Sequence, residues 1–122
     1  LSKKLAQNNG SIVNIIDIHG DRPLRNHTIY NISKAAIAMM TKTLAKELAP
    51  NIRVNGVSPG SIIWPENEAE LNQSQKQSTL NKIALNKQGS VNDIADTVFF
   101  LTQSNYITGQ IIAVDGGRNL NQ

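Results

Sequence analysis

At 122 residues the chain is long enough for one domain with a modest core and too short for two. Apolar residues are 39% and charged residues 17% of it, the balance of a globular protein, which excludes a disordered chain. The net charge of +3 comes from interspersed acids and bases and aromatics are only 4%, which argues against a nucleic-acid partner, and no apolar run nears the ~20 residues of a membrane span.

The opening, LSKKLAQNNG, has no initiator Met and reads as the last turns of a helix entering a loop at Asn8, Asn9 and Gly10. No signal-peptide pattern is visible, and the chain is expected to be the C-terminal part of something longer. SIVNIID (11–17) is β-rich and continuously apolar, which predicts a strand buried on both faces. Residues 18–28 have loop composition. From 28 to 49 the pattern predicts one long helix, with Ile32, Ala36, Met39, Met40, Thr43, Leu44 and Leu48 as its apolar stripe and Pro50 closing it. IRVNGVSPG (52–60) is a second buried strand ending in a forced turn. Residues 61–80, polar after Trp64 and Pro65, read as a loop with a mobile helix, of the kind that covers a ligand. Ser90 with Asp93 makes a capping box ahead of Ile94, Val98 and Leu101, and YITG turns the chain into a last strand over 110–117. Strand–helix–strand–helix–strand with apolar strands predicts an α/β fold, a parallel sheet covered by helices. Three strands fall short of a complete doubly wound sheet, which again points to strands upstream.

Tyr30 and Lys34 are four apart and share a helix face. A nearby ammonium favours the phenolate, so Lys34 is expected to lower the Tyr30 pKa and make it a proton donor–acceptor suited to carbonyl or imine reduction. The same spacing also arises by chance on any helix. Asp17 stands thirteen residues before the tyrosine, where a strand ends. Without cysteine there is no disulfide and no thiolate metal site, which fits a cytoplasmic protein. His19 and His27 lack the spacing of metal ligands, so no metal is expected, and Asp21, Arg22 and Arg25 read as a solvated loop, with contact to substrate or a neighbour's 2′-phosphate the alternative. Met39 and Met40 read as core or dimer-face residues.

The ordered array GSIVNI-D, Y-NIS-K-A, L-A-x-E-L-A-P, IRVNGVSPG and YITGQ…VDGG resembles the C-terminal half of the short-chain dehydrogenase/reductases over essentially all of the chain. The resemblance implies the C-terminal, catalytic part of a single Rossmann-type doubly wound domain over 1–122. It implies Tyr30 as proton donor, Lys34 tuning it and holding the nicotinamide ribose, and Pro59, Gly60, Ser61 and Ile62 along the nicotinamide. Asn55 is expected to hold strand and turn, and Asp115 to close the last strand near a subunit contact. Most of that family has a serine where this chain has Asp17, and in this departure it resembles the pteridine reductases. An ionised carboxylate only accepts hydrogen bonds, so Asp17 suits a substrate rich in N–H donors, such as a pterin, or a proton relay into Tyr30. It is alternatively a strand-end residue capping the next loop. Trp64 replaces a threonine common in the family and is expected to stack on a flat substrate, or else to pack at the domain edge.

The implied cofactor is NADP(H), with NAD(H) the alternative, and the implied partner is a second copy. A homodimer or homotetramer would form through the helix 28–49, whose second face is rich in Ala and Thr, and through the last strand. The glycine-rich TGxxxGxG turn that cradles a pyrophosphate is not among these residues, nor is the family's helix asparagine. The chain as written is therefore expected to bind dinucleotide weakly or not at all. Two other readings stand beside the pterin one: a 3-oxoacyl-type carbonyl reductase, and a non-enzymatic remnant or association module.

Overall fold

The computed structural model describes residues 2–66 and 70–120. A short helix α1 (Ser2–Ala6) leads into strand β1 (Ser11–Ile15) and a 3-10 turn at Ile18–Gly20. Helix α2 (Thr28–Leu48) and strand β2 (Arg53–Pro59) follow, then helices α3 (Gln73–Leu80) and α4 (Val91–Gln103). Strand β3 (Ile111–Val114) and a 3-10 turn at Arg118–Leu120 complete the order. All strand pairs are parallel, in the order β1-β2-β3, with Ser11 opposite Arg53 and Gly56 opposite Ile111.

Local chemistry fixes the element ends. Pro50 has no N–H and disfavours helical backbone before it, and α2 stops at Leu48 with Ala49 already extended. Helix α4 opens with the expected capping box: the Asp93 N–H donates to Ser90 Oγ at 3.3 Å and the Ser90 N–H to Asp93 Oδ2 at 2.7 Å. The Ser90 N–H first, and then the Ser90 hydroxyl donating to the same Oδ2 at 2.8 Å, hold the Asp93 carboxyl below the usual carboxylate range. Helix α3 carries a second capping box, Asn72 with Gln75, within the stretch 61–80; residues 67–69 of that stretch lie outside the described residues.

The helices cover opposite faces of the sheet. Asn14 lies opposite Gly56 and so shares a face with the even-numbered residues of β2; its Nδ2 donates to Thr41 Oγ1 of α2 at 2.9 Å. Arg53 points the other way, donating from Nη1 to Leu101 O at 2.7 Å and from Nη2 to Thr102 O at 2.9 Å, which satisfies the C-terminal carbonyls of α4. On the α2 face, Ala45, Ile52 and Val54 form a buried cluster joined by Leu5, Ile12, Leu44 and Leu48. On the other, Leu101 is fully buried, with Ile94 and Val98 half-buried beside it.

Three expectations need correction. Strand β1 is not buried on both faces: Ser11 to Asn14 are half-buried and Ile15 is 50% exposed, because β1 is an outer strand and only β2 has a neighbour on each side. The stripe assigned to α2 holds only at its C-terminal end, where Leu44 and Leu48 pack against the core cluster. Ile32 and Met39 are 63% and 61% exposed, and Ala36, Met40 and Thr43 are exposed too, whereas Thr41 and Ala45 are buried against the sheet. Small side chains let the helix axis approach the strands, which leaves the bulky residues outside. The last strand is shorter than 110–117: the Gln110 N–H donates to the Asn55 side chain, and Asp115 turns to cap the following 3-10 turn. Among the described residues no helix is long and apolar enough to cross a membrane.

Candidate active site

Parallel strands deliver their carboxyl ends to one edge of the sheet, where open α/β folds place ligands. Asp17 follows β1, Gly60 and Ser61 follow β2, and Arg118 follows β3, all at that edge. A cavity of about 480 Å³ lies there, and Asp17, His19, Gly60, Ser61, Trp64 and Arg118 are among its walls. Leu71 and Thr79 close it from the stretch that carries α3.

Asp17 is a cap and a partner at once. Its Oδ1 accepts the His19 N–H at 2.8 Å, which starts the 3-10 turn, and its Oδ2 accepts the Tyr30 hydroxyl at 2.7 Å. The turn lies so close on α2 that a Cβ at Gly20 would meet the Lys34 carbonyl carbon at 2.9 Å, so only glycine fits. Asn31 clamps the loop that follows, its Nδ2 donating to Leu24 O at 2.8 Å and its Oδ1 accepting the Leu24 N–H at 3.2 Å. Tyr30, the third residue of α2, is thereby aimed at the end of β1.

The expected lowering of the Tyr30 pKa by Lys34 is not found. Burial, then the hydrogen bond and charge of Asp17, push the phenol up to about 12. Lys34 Nζ lies over the ring, 5.6 Å from its centroid, and donates to Ile16 O at 3.2 Å. Tyr30 is therefore a neutral phenol throughout the physiological range.

The remaining site residues divide. Trp64 is half-buried in the cavity wall, beside Gly60 and Ser61. Gly60 is required by packing, since a Cβ there would meet the Asp115 Cα at 2.7 Å. Pro59 ends β2 beside Val114. The Ile62 side chain turns toward Gly89, away from the cavity. Its backbone N–H and C=O make no hydrogen bond among the described residues, so they fit the primary carboxamide of a nicotinamide. Lys34 keeps two ammonium hydrogens beyond its bond to Ile16, which suits a ribose diol.

Other residues are placed differently from the sequence reading. His19 and His27 line the cavity, and each Nδ1 faces a carbonyl, of Arg22 at 3.0 Å and of Arg25 at 2.8 Å. A carbonyl only accepts, so Nδ1 carries the hydrogen in both rings. Among the described residues no group of three His, Cys, Asp or Glu could hold a metal. Arg22 is no free loop residue, since its Nη1 donates to Arg118 O at 2.9 Å. Arg118 and the Asn31 clamp escaped the sequence reading; a lone Arg after VDGG and an Asn beside a Tyr carry no local signal.

A sequence model described as enoyl-(acyl carrier protein) reductase matches residues 1–119. The chain is 43% identical over 116 residues to a 3-oxoacyl-[acyl-carrier-protein] reductase of Thermotoga maritima, covering 93% of this chain and 47% of that protein. It is 36% identical over 109 residues to a dihydromonapterin reductase of Klebsiella pneumoniae, covering 89% and 44%. The solved structure of an apo SCOR enzyme from Clostridium thermocellum is similar with a TM-score of 0.84 at 32% identity, over 98% of this chain and 46% of that one. The chain spans about half the length of the curated relatives it matches.

Proposed function

The chain belongs to the short-chain dehydrogenase/reductase family, and on that premise we propose that residues 1–122 are the catalytic part of a single Rossmann-type domain that reduces a pterin or dihydropterin. The observation that carries the substrate class is the 2.7 Å hydrogen bond from Tyr30 to Asp17. A ketone oxygen only accepts hydrogen bonds, as the carboxylate does, so Asp17 repels it. A pterin ring offers amino and ring N–H groups, which Asp17 accepts on the lone pairs left by His19 and Tyr30.

Reducing a C=N bond adds hydride to carbon and a proton to nitrogen. A reduced nicotinamide cofactor, NADPH in this reading, supplies the hydride when bound. Ile62 backbone groups would hold its carboxamide, Lys34 and Tyr30 its ribose, and Pro59, Gly60 and Ser61 its ring edge. Tyr30, kept protonated by burial and by Asp17, gives its O–H proton to the substrate nitrogen. The same two influences oppose a lasting tyrosinate. The proton is therefore restored within the cycle from solvent: the Asp17 carboxylate takes a proton from water and passes it to the Tyr30 oxygen one hydrogen bond away. Trp64 offers its ring face to the flat bicycle. A cytoplasmic location belongs to the same reading.

The test is loss of NADPH absorbance with a dihydropterin, using the intact protein, Tyr30→Phe and Asp17→Ser. Turnover is expected to fall roughly 10²–10⁴-fold in Tyr30→Phe, the range for losing a positioned acid. Asp17→Ser is expected to lose pterin turnover and gain activity on a keto substrate. The similarity to a 3-oxoacyl reductase favours carbonyl reduction as the second reading. Faster turnover of a 3-oxoacyl thioester than of any dihydropterin by the unmodified protein would establish that reading instead.

A further inference from the structure

The geometry points to Arg118 as a specificity-determining residue that takes an anionic substituent of the substrate, a carboxylate or a phosphate, in the Asp17 cavity. This rests on the reading of that cavity as the substrate site and adds the charge of what enters it. Arg118 reaches the cavity wall from the end of β3, and the Arg22 side chain, 96 residues earlier in the chain, holds its backbone by the bond to Arg118 O. Two guanidinium groups thus belong to adjoining segments.

Neither nearby acid forms an ion pair with them among the described residues, although the charge of Asp115 acts on Arg118. Asp115 gives Oδ1 to the Gly117 N–H at 2.9 Å and Oδ2 to the Asn119 N–H at 2.7 Å, both spent on the turn that carries Arg118. Asp17, the one carboxylate in the cavity wall among the described residues, gives its two oxygens to the His19 N–H and the Tyr30 hydroxyl. Among the described residues the Arg118 guanidinium has neither an ion-pair nor a hydrogen-bond partner. It is half-buried; burial first and the charge of Arg22 second disfavour its protonated form, and the charge of Asp115 offsets them only in part. A half-buried cation beside a like charge is costly until an anion joins it. A carboxylate or phosphate matches the guanidinium fork with two parallel hydrogen bonds. The cavity therefore offers an acceptor at Asp17 for N–H groups and a donor fork at Arg118 for an oxyanion, a combination selecting a ring with an acidic tail.

The test is calorimetric titration of the intact protein with three pterins sharing one ring: hydroxymethylpterin, its phosphate ester and carboxypterin. At least one charged pterin is expected to bind about tenfold more tightly than the neutral one, and the charged member that does so identifies the oxyanion. In Arg118→Gln, which keeps planar amide donors without charge, that ratio is expected to collapse toward unity, with Arg118→Lys between. The preference of the unmodified protein is expected to weaken with added salt. No charge preference, a preference that survives Arg118→Gln, or a variant that weakens all three pterins equally overturns the assignment. Acetoacetate and its neutral ethyl ester are titrated alongside. If no pterin binds but acetoacetate is preferred through Arg118, the pterin reading fails and the anion subsite stands. If neither set shows the dependence, the subsite falls.

Discussion

Tyr30 shows how two neighbours compete for one proton. An ammonium over the ring would favour tyrosinate, yet burial and the Asp17 carboxylate prevail and the phenol titrates at about 12. Replacing Asp17 by Asn removes the third cause, the charge, weakens the second, since a neutral amide oxygen is a poorer acceptor, and leaves burial. The pKa is then expected to fall from about 12 toward 10 without reaching it, read from tyrosinate absorbance in a Tyr106→Phe background, where Tyr30 is the only phenol. The sign of the linkage follows. In the unfolded chain the phenol releases its proton near 10 and in the folded chain near 12, so the folded state holds the extra proton between those values. Stability from this group is full below about pH 10 and is lost as pH rises to about 12. Tyr30→Phe is expected to flatten that loss in urea midpoints taken across the window. Unchanged titration in Asp17→Asn would mean that Asp17 does not govern the phenol.

At the scale of elements, strand β2 carries the architecture. Asn55 is fully buried in it; its Nδ2 donates to Ile107 O at 2.8 Å and its Oδ1 accepts the Gln110 N–H at 3.0 Å, tying the turn before β3 to the middle of the sheet. Asn55→Ala orphans both groups at roughly 1–3 kcal/mol each, so a loss of ~3 kcal/mol is expected in urea unfolding. A loss within error would show that the turn finds other partners. Helix α2 shows what a sequence can and cannot reveal. Its length, its stop before Pro50 and the alignment of Tyr30 with Lys34 follow from local rules, as does the Ser90–Asp93 cap of α4. Which side faces the sheet did not, because hydrophobic patterning points the largest residues inward and here Thr41 and Ala45 make the close contact. The Asp17–Tyr30 pair was legible because it is separated by thirteen residues; Arg118 joins Arg22 across 96, and no local pattern records that. The outward stripe of Ile32, Met39 and Met40 supports the proposal that α2 pairs with a second copy. The double change Ile32→Glu, Met39→Glu is expected to shift the protein to a smaller species in sedimentation velocity; an unchanged mass would remove α2 from the interface.

For the whole molecule the surface is the telling quantity. A compact monomer of 13.3 kDa is expected to expose about 6,500 Å². This chain exposes 8404 Å², about 30% more, and Ile29, Met39, Phe99 and Phe100 are among the residues left uncovered. Prepared as these 122 residues alone, it is therefore expected to bind a hydrophobic dye and to associate as concentration rises, through those faces and the open outer edge of β1. A monodisperse, dye-silent monomer by light scattering would contradict this. The strand order has a consequence for biosynthesis. These three strands lie side by side in the order in which the ribosome releases them, so among them no finished strand must be parted to admit a later one. Asp17 and Tyr30 belong to the β1–α2 unit and meet before β2 and β3 are made, whereas Arg118 arrives only after β3 has been laid down. On the proposed function, the proton-transfer pair is assembled before the residue that selects its substrate.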